Sequence, residues 1–579
     1  MTSGTQANSG SPGKPAADAS APHSIASAPG PDQQPQPQPQ PPPAYIWERN
    51  WVPVCPLSSL DPSSPTPVVL LGQPLVVWRH SVRGWVVIRD VCPHRLAPLS
   101  EGRLEAGGTR LACSYHGWEF SEEGQCKKNP QLASDLRASA TACASKRSCV
   151  TSFPTLELDG ILFAWLDASE EGLQAARTAP KPELTDERAV SYFNWFMNEM
   201  PADYPFWLEQ SMDPTHANFL HEGVLFLRGA KAVSMEGQPH SPVDLLRGFT
   251  WQHGAYQASQ TDMRAFREFQ PPFVTRVCYH LASGGLTFFW VMSVPVRPGV
   301  ARVYFKAGFG WAKSQPPLTP TPAPTGGSSG TDSSPRAAVT AAAAAGGPQR
   351  AAEGGSPGRR PEAEAGGGGG SSAQGSGALR GLTRLLGLVP HWLFSAQLIA
   401  DQDAVMIHRQ EVLMRRGGFT ARDYNLNSKA DGGVAAVNVW LRRAGYPDSL
   451  WGGKPVVQSG PTYSSWPAQE LSLEQILSRQ ERHVRHCTVC QRGLRQVTAM
   501  CTALTAAAGL AAAAAAALAV MAAVNPEAVE RVGGWRAVAG AAAVAMALAA
   551  SAATGWSIRE ERFISGAAQW HRMGGFASK

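Results

Sequence analysis

Short apolar runs that alternate with polar residues predict β-strands in the first ordered part of the chain. Two runs rich in Val and Trp, in "PLVVWRHSVRGWVVIRD", flank Gly84, and this spacing is typical of a hairpin. A second hairpin is predicted in "LELDGILFAWL", because Asp159-Gly160 suits a type I′ turn. The pattern therefore indicates a small all-β domain over residues 45–168.

Residues 169–312 alternate helix-like and strand-like stretches, which indicates a mixed α/β domain. A tract rich in Pro, Gly, Ser and Ala then covers 313–378. We interpret this tract as a disordered insertion, because a structureless loop of that length does not fit inside a compact domain. Ordered sequence resumes afterwards, so the second domain is predicted to comprise 169–312 and 379–496.

Two long uncharged runs near the C-terminus predict a pair of membrane-spanning helices. The runs 497–524 and 537–556 each reach the ~20 residues that are needed to cross a bilayer. Because Ala is only weakly apolar, an Ala-rich soluble helix is the alternative. The prediction is a transmembrane hairpin over 497–556, followed by a tail over 557–579.

Arginines are distributed unevenly around these two runs. The segment that connects the runs contains only Arg531 and Arg536, whereas more arginines flank the outer ends. By the positive-inside rule, the body of the protein faces the cytoplasm-equivalent side, which in a plastid is the stroma. The flanking arginines are Arg482, Arg485, Arg492 and Arg495 before the first run, and Arg559 and Arg562 after the second.

Composition narrows the class of protein. The chain has 579 residues and a net charge of +6, and its basic residues are scattered, so nucleic acid is not an expected partner. Its 10 cysteines are too sparse for a disulfide scaffold, which indicates a reducing compartment. Residues 1–44 are rich in Pro, Ser, Ala and Gln and are predicted to be disordered. They are poor in acidic residues, as transit peptides are, although they contain no arginine.

Two short Cys-His pairs lie in the predicted β domain. Cys92-x-His94 and Cys113-x2-His116 each combine one thiol with one imidazole, whereas zinc sites usually contain Cys-x2-Cys pairs. One Cys and one His from each of two loops is the ligand set of a Rieske [2Fe–2S] cluster, in which two Cys hold one iron and two His hold the other. The pairs therefore predict a [2Fe–2S] centre that passes single electrons.

A second group of candidate ligands lies in "LEQSMDPTHANFLHEG". Asp213, His216 and His221 have offsets of 0, 3 and 8, so one helix would place all three within an arc of about 140°. Two histidines and a carboxylate form the facial triad of mononuclear non-haem Fe(II), which keeps positions open for O2. Taken alone, two such histidines are more often structural, but a Rieske motif in the same chain favours iron.

These motifs resemble those of the Rieske non-haem iron oxygenases, and in particular the plastid group that includes pheophorbide a oxygenase and a translocon-associated Rieske protein. The resemblance rests on "CPHRLAPLSEGR", "CSYHGWEF", "SFPTLELDGILFAW", "MDPTHANFLH" and "RHVRHCTVCQRG", and it extends over 45–556 except for the insertion. It implies an α+β fold. A small all-β Rieske domain would precede a mixed α/β, helix-grip-like catalytic domain with an antiparallel sheet, and a C-terminal transmembrane helical hairpin would follow.

The resemblance also implies an activity. A ferredoxin would reduce the cluster, and a mononuclear Fe(II) bound by His216 and His221 would use O2 to oxygenate a chlorophyll-type tetrapyrrole such as pheophorbide a or chlorophyllide. In the family, the electron passes between subunits of a head-to-tail homotrimer through an aspartate, which Asp213 matches. The implied location is a chloroplast membrane, either the inner envelope or the thylakoid, with the catalytic domains facing the stroma.

The third iron ligand must come from another segment if Asp213 is the bridge. The stretch "SAQLIADQDAVMIHRQEVL" resembles the family segment in which a carboxylate precedes an apolar helical run, and by this match we choose Asp403 over Asp401. The helix period supports the choice only weakly, because Asp403 shares a face with Ile407 and Asp401 shares one with Val405. Either aspartate could instead be a helix N-cap.

Two further observations leave alternatives open. Relatives commonly have Asn where this chain has Gln210, and this departure bears on which substrate is bound. The alternative function is a non-catalytic redox component of a plastid protein-import complex, although an electron carrier has no need of the iron ligands.

Another pair of cysteines, Cys487 and Cys490, precedes the first uncharged run. The spacing predicts a thiol–disulfide switch that a thioredoxin could reduce. A metal site is the less favoured interpretation, because only His483 and His486 lie nearby in the sequence.

Overall fold

The computed structural model describes residues 45–192, 194–221, 235–254, 264–281, 284–311, 396–452 and 470–572. The predicted disordered segment 1–44 and the predicted insertion 313–378 lie outside the described residues.

The N-terminal region consists of short antiparallel strands and one helix, α1 (Leu136–Ala144). Its strands are β1 (Val52–Pro56), β2 (Thr66–Leu70), β3 (Gln73–His80), β4 (Gly84–Arg89), β5 (Arg103–Glu105), β6 (Arg110–Ala112), β7 (Glu119–Phe120), β8 (Cys126–Lys128), β9 (Ser152–Phe153), β10 (Thr155–Leu158) and β11 (Ile161–Ala164). They form three sheets, with the orders β1-β11-β10, β2-β3-β4-β9 and β5-β6-β7-β8.

Both hairpins that the sequence predicts are present in this region. The first hairpin joins β3 to β4, and its Gly84 has a φ of 94°, which glycine adopts without steric cost. In the second hairpin, Leu158 pairs with Ile161 across Asp159 and Gly160. Asp159 and Gly160 have φ values of 49° and 77°, so both lie in the left-handed region that a type I′ turn requires.

The second region is built on one antiparallel sheet of eight strands. The strands are β12 (Ala189–Tyr192), β13 (Phe196–Met200), β14 (Gly237–Pro239), β15 (Phe249–Gly254), β16 (Arg264–Gln270), β17 (Val274–His280), β18 (Gly285–Arg297) and β19 (Val300–Trp311). The order is β12-β19-β18-β17-β16-β15-β14, and β13 also pairs with β19. In β16, buried and partly exposed residues alternate, as expected for a sheet with one face on the core.

Helices cover the core face of this sheet. Helix α3 (Tyr204–Met212) contacts helix α6 (Gly432–Arg443) and strands β18 and β19. A Cβ atom added at Gly433 of α6 would lie 2.7 Å from the carbonyl oxygen of Met212 at the end of α3. Glycine therefore permits close approach of the two helices beside Asp213. The helices are α2 (Glu170–Thr178), α3 (Tyr204–Met212), α4 (His216–Leu220), α5 (Ala396–Gly417), α6 (Gly432–Arg443), α7 (Asp448–Trp451), α8 (Leu473–Ile476) and α9 (Arg479–Arg482).

The two regions share one hydrophobic core. Trp47 lies edge-on to Tyr204 and Trp440, with ring centroids 5.6 and 5.8 Å apart. The carbonyl oxygen of Val54 in β1 accepts hydrogen bonds of 2.8 Å from Arg302 and Tyr304 of β19. The combination of a small β region and a mixed region with an antiparallel sheet confirms the predicted α+β fold class.

Two long helices, α10 (Thr488–Val524) and α12 (Gly534–Arg559), pack against each other near the C-terminus, with α11 (Pro526–Glu530) between them. Each is long and apolar enough to cross a membrane, and only 17% and 11% of their most apolar windows are buried. This exposure differs from that of a soluble core helix. From Cys501 onwards, the buried residues of α10 recur every seven positions, which is the heptad spacing of a left-handed coiled coil. They include Cys501, Ala508, Ala515 and Ala522.

The chain returns to the body of the protein after α12. The Gly566 N–H donates to the Leu477 carbonyl at 2.9 Å, and helix α13 (Ala567–Arg572) follows. Trp570 of α13 is 8% exposed and belongs to the shared core. The residues that follow the helical pair are therefore part of the folded body as far as 572.

This packing predicts how the two helices can be removed. Replacing 497–556 with a short flexible linker should give a water-soluble protein whose melting temperature is close to that of the full chain in detergent. Ending the chain after Gln496 should instead destabilise the protein, because Trp570 leaves the core, and a buried Trp is worth about 3–5 kcal/mol. Detergent phase partitioning and thermal unfolding measure both effects.

Trp570→Ala in the linker version is the matched control for the truncation. Equal melting temperatures for the linker and truncated versions would contradict the structural role of α13.

Candidate metal centres

The four candidate Rieske ligands lie in two loops of the N-terminal region. Cys92 and His94 follow strand β4, and Cys113 and His116 lie between β6 and β7. Both cysteines are buried, whereas both histidines are partly exposed. The pairs therefore place two sulfur atoms on the inside and two imidazoles on the outside of one site.

The two loops have the same hydrogen-bond pattern. The Cys92 N–H donates to the carbonyl five residues later at 2.8 Å, and the Cys113 N–H does the same at 2.8 Å. Counted from the cysteine, the fifth residue is Leu96 in the first loop and Gly117 in the second, and their φ values are 60° and 74°. Left-handed backbone is costly for leucine, and here it repeats the path that glycine follows in the other loop.

The histidine rings are oriented for a shared ligand. The centroids of His94 and His116 are 4.5 Å apart, and His94 stacks on Trp118 at 5.0 Å with an interplanar angle of 6°. Within the described residues, His94 Nδ1 is buried without a hydrogen-bond partner. A buried ring nitrogen of this kind is costly unless a metal or another group binds it. Two thiols, two imidazoles and this orphaned nitrogen fit a Rieske cluster.

Burial raises the pKa of the Cys92 thiol to about 11, with a smaller contribution from the adjacent Cys113. A buried thiol whose pKa is raised in this way needs a nearby cation to stabilise its thiolate form. An iron–sulfur cluster supplies that positive charge.

The second group of candidate ligands does not lie on one helix, so this part of the sequence prediction is wrong. Helix α3 ends at Met212. The next residue, Asp213, has an extended ψ of 118°, and α4 starts at His216. The break follows from Pro214, since the residue before a proline is forced out of helical backbone. His221 follows the last residue of α4.

The fold nevertheless brings His216, His221 and Asp403 together. One ligand atom from each lies within 4.8 Å of the other two. His221 Nε2 is 3.2 Å from Asp403 Oδ1, and the two histidine rings are 5.4 Å apart. Asp403 comes from α5, so the third group arrives from a segment that is distant in the sequence.

Both histidines use Nδ1 for hydrogen bonds to the protein. His216 Nδ1 lies 3.0 Å from the Asp213 carbonyl oxygen, and His221 Nδ1 lies 3.0 Å from Gln402 Oε1. If each Nδ1 carries the proton, each Nε2 presents a lone pair to the space shared with Asp403. Metal-binding histidines are held in this way in proteins, so the donor set fits a metal ion.

Gln210 connects the two segments of the site. Its Nε2 donates to Asp403 Oδ1 at 2.7 Å. The longer arm, which the sequence presents as a departure from the Asn of relatives, thus reaches the carboxylate from α3.

Asp401 lies two residues from Asp403 but is turned away from the histidines. Its carboxylate is buried and forms ion pairs with Arg479 and Arg482, both of which are fully buried. Two residues along a helix differ by about 200°, so Asp401 and Asp403 must face nearly opposite sides.

The charge of Asp213 is stabilised by its neighbours. Burial raises its pKa, but hydrogen bonds from His216 and Thr215 outweigh burial and hold the pKa well below its usual value. Asp213 Oδ1 accepts from the Thr215 N–H and hydroxyl at 2.7 Å each. Asp213 is therefore an anion beside His216 at neutral pH.

The structure shows two further groupings of cysteine. Cys126 and Cys143, 17 positions apart, form a disulfide beside the candidate Rieske site, which the expectation of a reducing compartment did not anticipate. Their spacing carries no usable signal. In addition, His483 joins Cys487 and Cys490, with the ligand atoms of all three within 4.8 Å of one another. His486 contacts Glu199 instead.

A model of the Rieske [2Fe-2S] domain matches residues 50–154. Over 474 residues the chain is 27% identical to pheophorbide a oxygenase of Arabidopsis thaliana, covering 77% of this chain and 72% of that protein. Flavonoid 8-hydroxylase 2 of Ocimum basilicum is 25% identical over 474 residues, covering 78% and 75%. Protochlorophyllide-dependent translocon component 52 of Arabidopsis thaliana is 35% identical over 181 residues, covering 31% and 32%. The last two are, like the first, described as chloroplastic.

The geometry predicts different outcomes for the two aspartates of α5. Asp403→Ala should lose the mononuclear iron and keep the Rieske signal, because only one of the two sites is altered. Asp401→Ala should keep both but lower stability by about 3–5 kcal/mol, because two buried arginines lose their partner. Iron content, electron paramagnetic resonance and thermal unfolding separate these outcomes. Loss of iron in the Asp401 variant at a temperature where it stays folded would contradict this assignment.

A pH dependence follows from the contact between His221 and Asp403. Burial lowers the pKa of His221, but attraction to Asp403 outweighs burial and raises the net pKa above its ordinary value of ~6.5. In iron-free protein, nuclear magnetic resonance should show His221 titrating above that value, and Asp403→Asn should lower its pKa. Since iron binds only neutral imidazole, its affinity for the site should fall as the pH drops below the raised pKa of the iron-free protein. A His221 pKa that Asp403→Asn leaves unchanged would contradict the contact.

Proposed function

We propose that this chain, which is a Rieske-type non-haem iron oxygenase of the group that includes pheophorbide a oxygenase, uses O2 and ferredoxin-derived electrons to oxygenate a chlorophyll-type tetrapyrrole. The observation that carries the proposal is the convergence of His216, His221 and Asp403 in a chain that also has a Rieske domain. A protein that only relays electrons would not need this second set of donors.

The ligand roles follow from the chemistry of the donors. Cys92 and Cys113 would hold one iron of the cluster, and His94 and His116 the other. His216, His221 and Asp403 would hold Fe(II) on one face and leave positions open opposite them. When bound, the cluster supplies single electrons and the mononuclear iron activates O2.

The protein orients these ligands through contacts that do not touch the metal. The Asp213 carbonyl and Gln402 hold the Nδ1 sides of His216 and His221, and Gln210 holds one oxygen of Asp403. Gln210 leaves the other carboxylate oxygen of Asp403 available. A shorter Asn at this position would lose that contact or draw α3 and α5 closer.

Asp213 is our candidate for the bridge between subunits of a head-to-tail homotrimer. Its side chain contacts His216 and remains 29% exposed, so its carboxylate can face a group from another subunit. The apolar residues Leu96 and Tyr115, beside the cluster histidines, are 73% and 60% exposed. Exposed apolar residues around two partly exposed imidazoles suit a surface that docks onto a neighbouring subunit.

The substrate class rests on the relative named pheophorbide a oxygenase, which aligns with most of the chain. A flavonoid is the second candidate, because a flavonoid hydroxylase aligns over the same length at similar identity. Support for a non-catalytic role in protein import comes from a translocon component that aligns with about a third of the chain. The complete set of iron donors favours an oxygenase over that role.

We place the protein in a chloroplast membrane, in the inner envelope or the thylakoid, with its catalytic domains in the stroma. The support is the exposed apolar pair α10 and α12, the arginines that flank it, and the chloroplastic relatives. A membrane position would bring the site close to a flat, lipid-soluble tetrapyrrole.

An oxygen-tracing experiment tests the proposal. Full-length protein with reduced ferredoxin is incubated under 18-oxygen gas with pheophorbide a, chlorophyllide a, protochlorophyllide or a flavonoid. We expect labelled product from at least one tetrapyrrole and at least a hundredfold less from Asp403→Ala, measured by mass spectrometry.

The Asp403→Ala variant should still accept one electron at its Rieske centre, which serves as the control for folding. If only the flavonoid became labelled, the substrate class would be flavonoids and not tetrapyrroles. Absence of label from every compound, with normal reduction of the cluster, would favour the redox component.

A further inference from the structure

A third group of possible metal donors consists of His483, Cys487 and Cys490, none of which belongs to either candidate iron centre. His483 follows α9, Cys487 immediately precedes α10, and Cys490 lies in the first turn of α10. Their relative exposures are 3%, 1% and 1%. A buried imidazole and two buried thiols in one place are the donor types that soft and borderline metal ions prefer.

The imidazole of His483 is held in a defined orientation. Its Nδ1 lies 2.6 Å from the carbonyl oxygen of Met197 in β13, and its ring stacks on Phe196 with centroids 4.7 Å apart. Because a carbonyl oxygen only accepts, Nδ1 carries the proton. Nε2 is then the lone-pair nitrogen, and it lies 3.2 Å from Cys490 Sγ. This is how a histidine is prepared for metal binding, with its other N–H donated to the backbone.

We propose that His483, Cys487 and Cys490 bind one Zn²⁺ ion through an imidazole and two thiolates. Zn²⁺ binds sulfur at ~2.3 Å and nitrogen at ~2.0 Å, so a tetrahedral ion holds such donors roughly 3.5–3.8 Å apart. The three ligand atoms already lie within 4.8 Å of one another, so shifts of about an ångström complete the geometry. The two thiols release their protons on binding, and a water or another group takes the fourth position.

Cys487 and Cys490 lie at the N-terminal end of α10, where the helix dipole stabilises negative charge. The ion would neutralise both thiolates in a buried site that could not otherwise hold two negative charges.

This site would anchor the segment that supports the iron-binding helix. Arg482 precedes His483 and, with Arg479, pairs with Asp401 of α5, the helix that carries Asp403. A metal ion that joins His483 to the start of α10 would fix these arginines under α5. This consequence rests on the proposed oxygenase function, whereas the zinc site does not.

A disulfide between Cys487 and Cys490, the switch that the spacing predicts, is the competing use of the same atoms. Both sulfur atoms are buried in this conformation, so a thioredoxin could reach them only after the segment opens. One pair of cysteines cannot bind Zn²⁺ as thiolates and form a disulfide at the same time.

Metal analysis of the full chain in detergent tests the site. Wild-type protein should contain about one zinc per chain in addition to its iron. Cys487→Ser and Cys490→Ser should each lose most of it. Cys501→Ser is the matched control, because Cys501 is a fully buried cysteine of the same helix that lies outside the group, and it should keep the zinc.

Replacement of zinc by Co²⁺ provides a readout that does not depend on oxygenation. Thiolate ligands give Co²⁺ an intense near-ultraviolet charge-transfer band, which nitrogen and oxygen ligands at the iron site do not. Measured as the difference between cobalt-loaded and zinc-loaded protein, which cancels the absorption of the Rieske cluster, the band should appear in wild type and Cys501→Ser. It should disappear when both forms of wild type are treated with a mercurial reagent. This second measurement holds even if the serine variants fail to fold.

The outcomes are distinct. The site is established if zinc and the cobalt band are found in wild type and in Cys501→Ser but not in Cys487→Ser or Cys490→Ser. A zinc-free wild type overturns it, whether mass spectrometry finds a Cys487–Cys490 disulfide or two reduced thiols that yield no cobalt band. Loss of oxygenation with zinc retained would count against the proposed function and leave the zinc site in place.

Discussion

The buried ion group of Asp401, Arg479 and Arg482 is the interaction on which the catalytic half of the molecule depends. All three side chains are almost completely buried, and one carboxylate faces two guanidinium groups. Such a group contributes little net stability when intact, but removing one partner leaves an uncompensated buried charge. The ion group therefore mainly restricts how helix α5 packs against the segment that contains Arg479 and Arg482. Helix α5 must lie against the segment before α10, and this placement turns Asp403 towards the histidines on its opposite side.

The histidines of the candidate centres are oriented in two different ways. His216, His221 and His483 each have Nδ1 within hydrogen-bond distance of a protein oxygen, which leaves Nε2 for a ligand. His94 is held by stacking on Trp118, and its buried Nδ1 has no partner among the described residues. A ring held by a hydrogen bond offers one nitrogen, whereas a ring held by stacking offers either one. The local contacts thus indicate that Nε2 faces the ligand in His216, His221 and His483, whereas stacking leaves either nitrogen of His94 available.

The helical pair and the body are physically continuous. Helix α10 begins with the cysteines that contact His483, and the chain after α12 returns to place Trp570 in the shared core. The same short segment thus contacts the sheet through Met197, helix α5 through Asp401, and the candidate membrane helices. The helical pair and helix α5 are therefore connected through the ion pairs and hydrogen bonds of this one segment.

Some features follow from the sequence alone because their determinants are local. Each of the two loops completes its hydrogen bonds within six residues, so Cys92, His94, Cys113 and His116 could be predicted as ligands from spacing. The Asp159-Gly160 turn follows from backbone preferences, and the apolar helices follow from composition. Other features depend on contacts between distant segments. The helix period separates Asp401 from Asp403 by about 200°, but it does not say which one faces the histidines. The two arginines, 78 and 81 residues from Asp401, decide that by packing.

Tertiary structure also decided the groupings that spacing could not reveal. Cys126 and Cys143 are 17 positions apart, and nothing in the sequence between them indicates that their sulfur atoms meet. His483 was visible beside the cysteine pair in the sequence, yet its role depends on a carbonyl from β13, which is 286 residues away. Local sequence determines which donors are present and how the backbone turns at them. The direction of each side chain depends on the close packing of segments that are far apart in the chain, and only the folded structure contains that information.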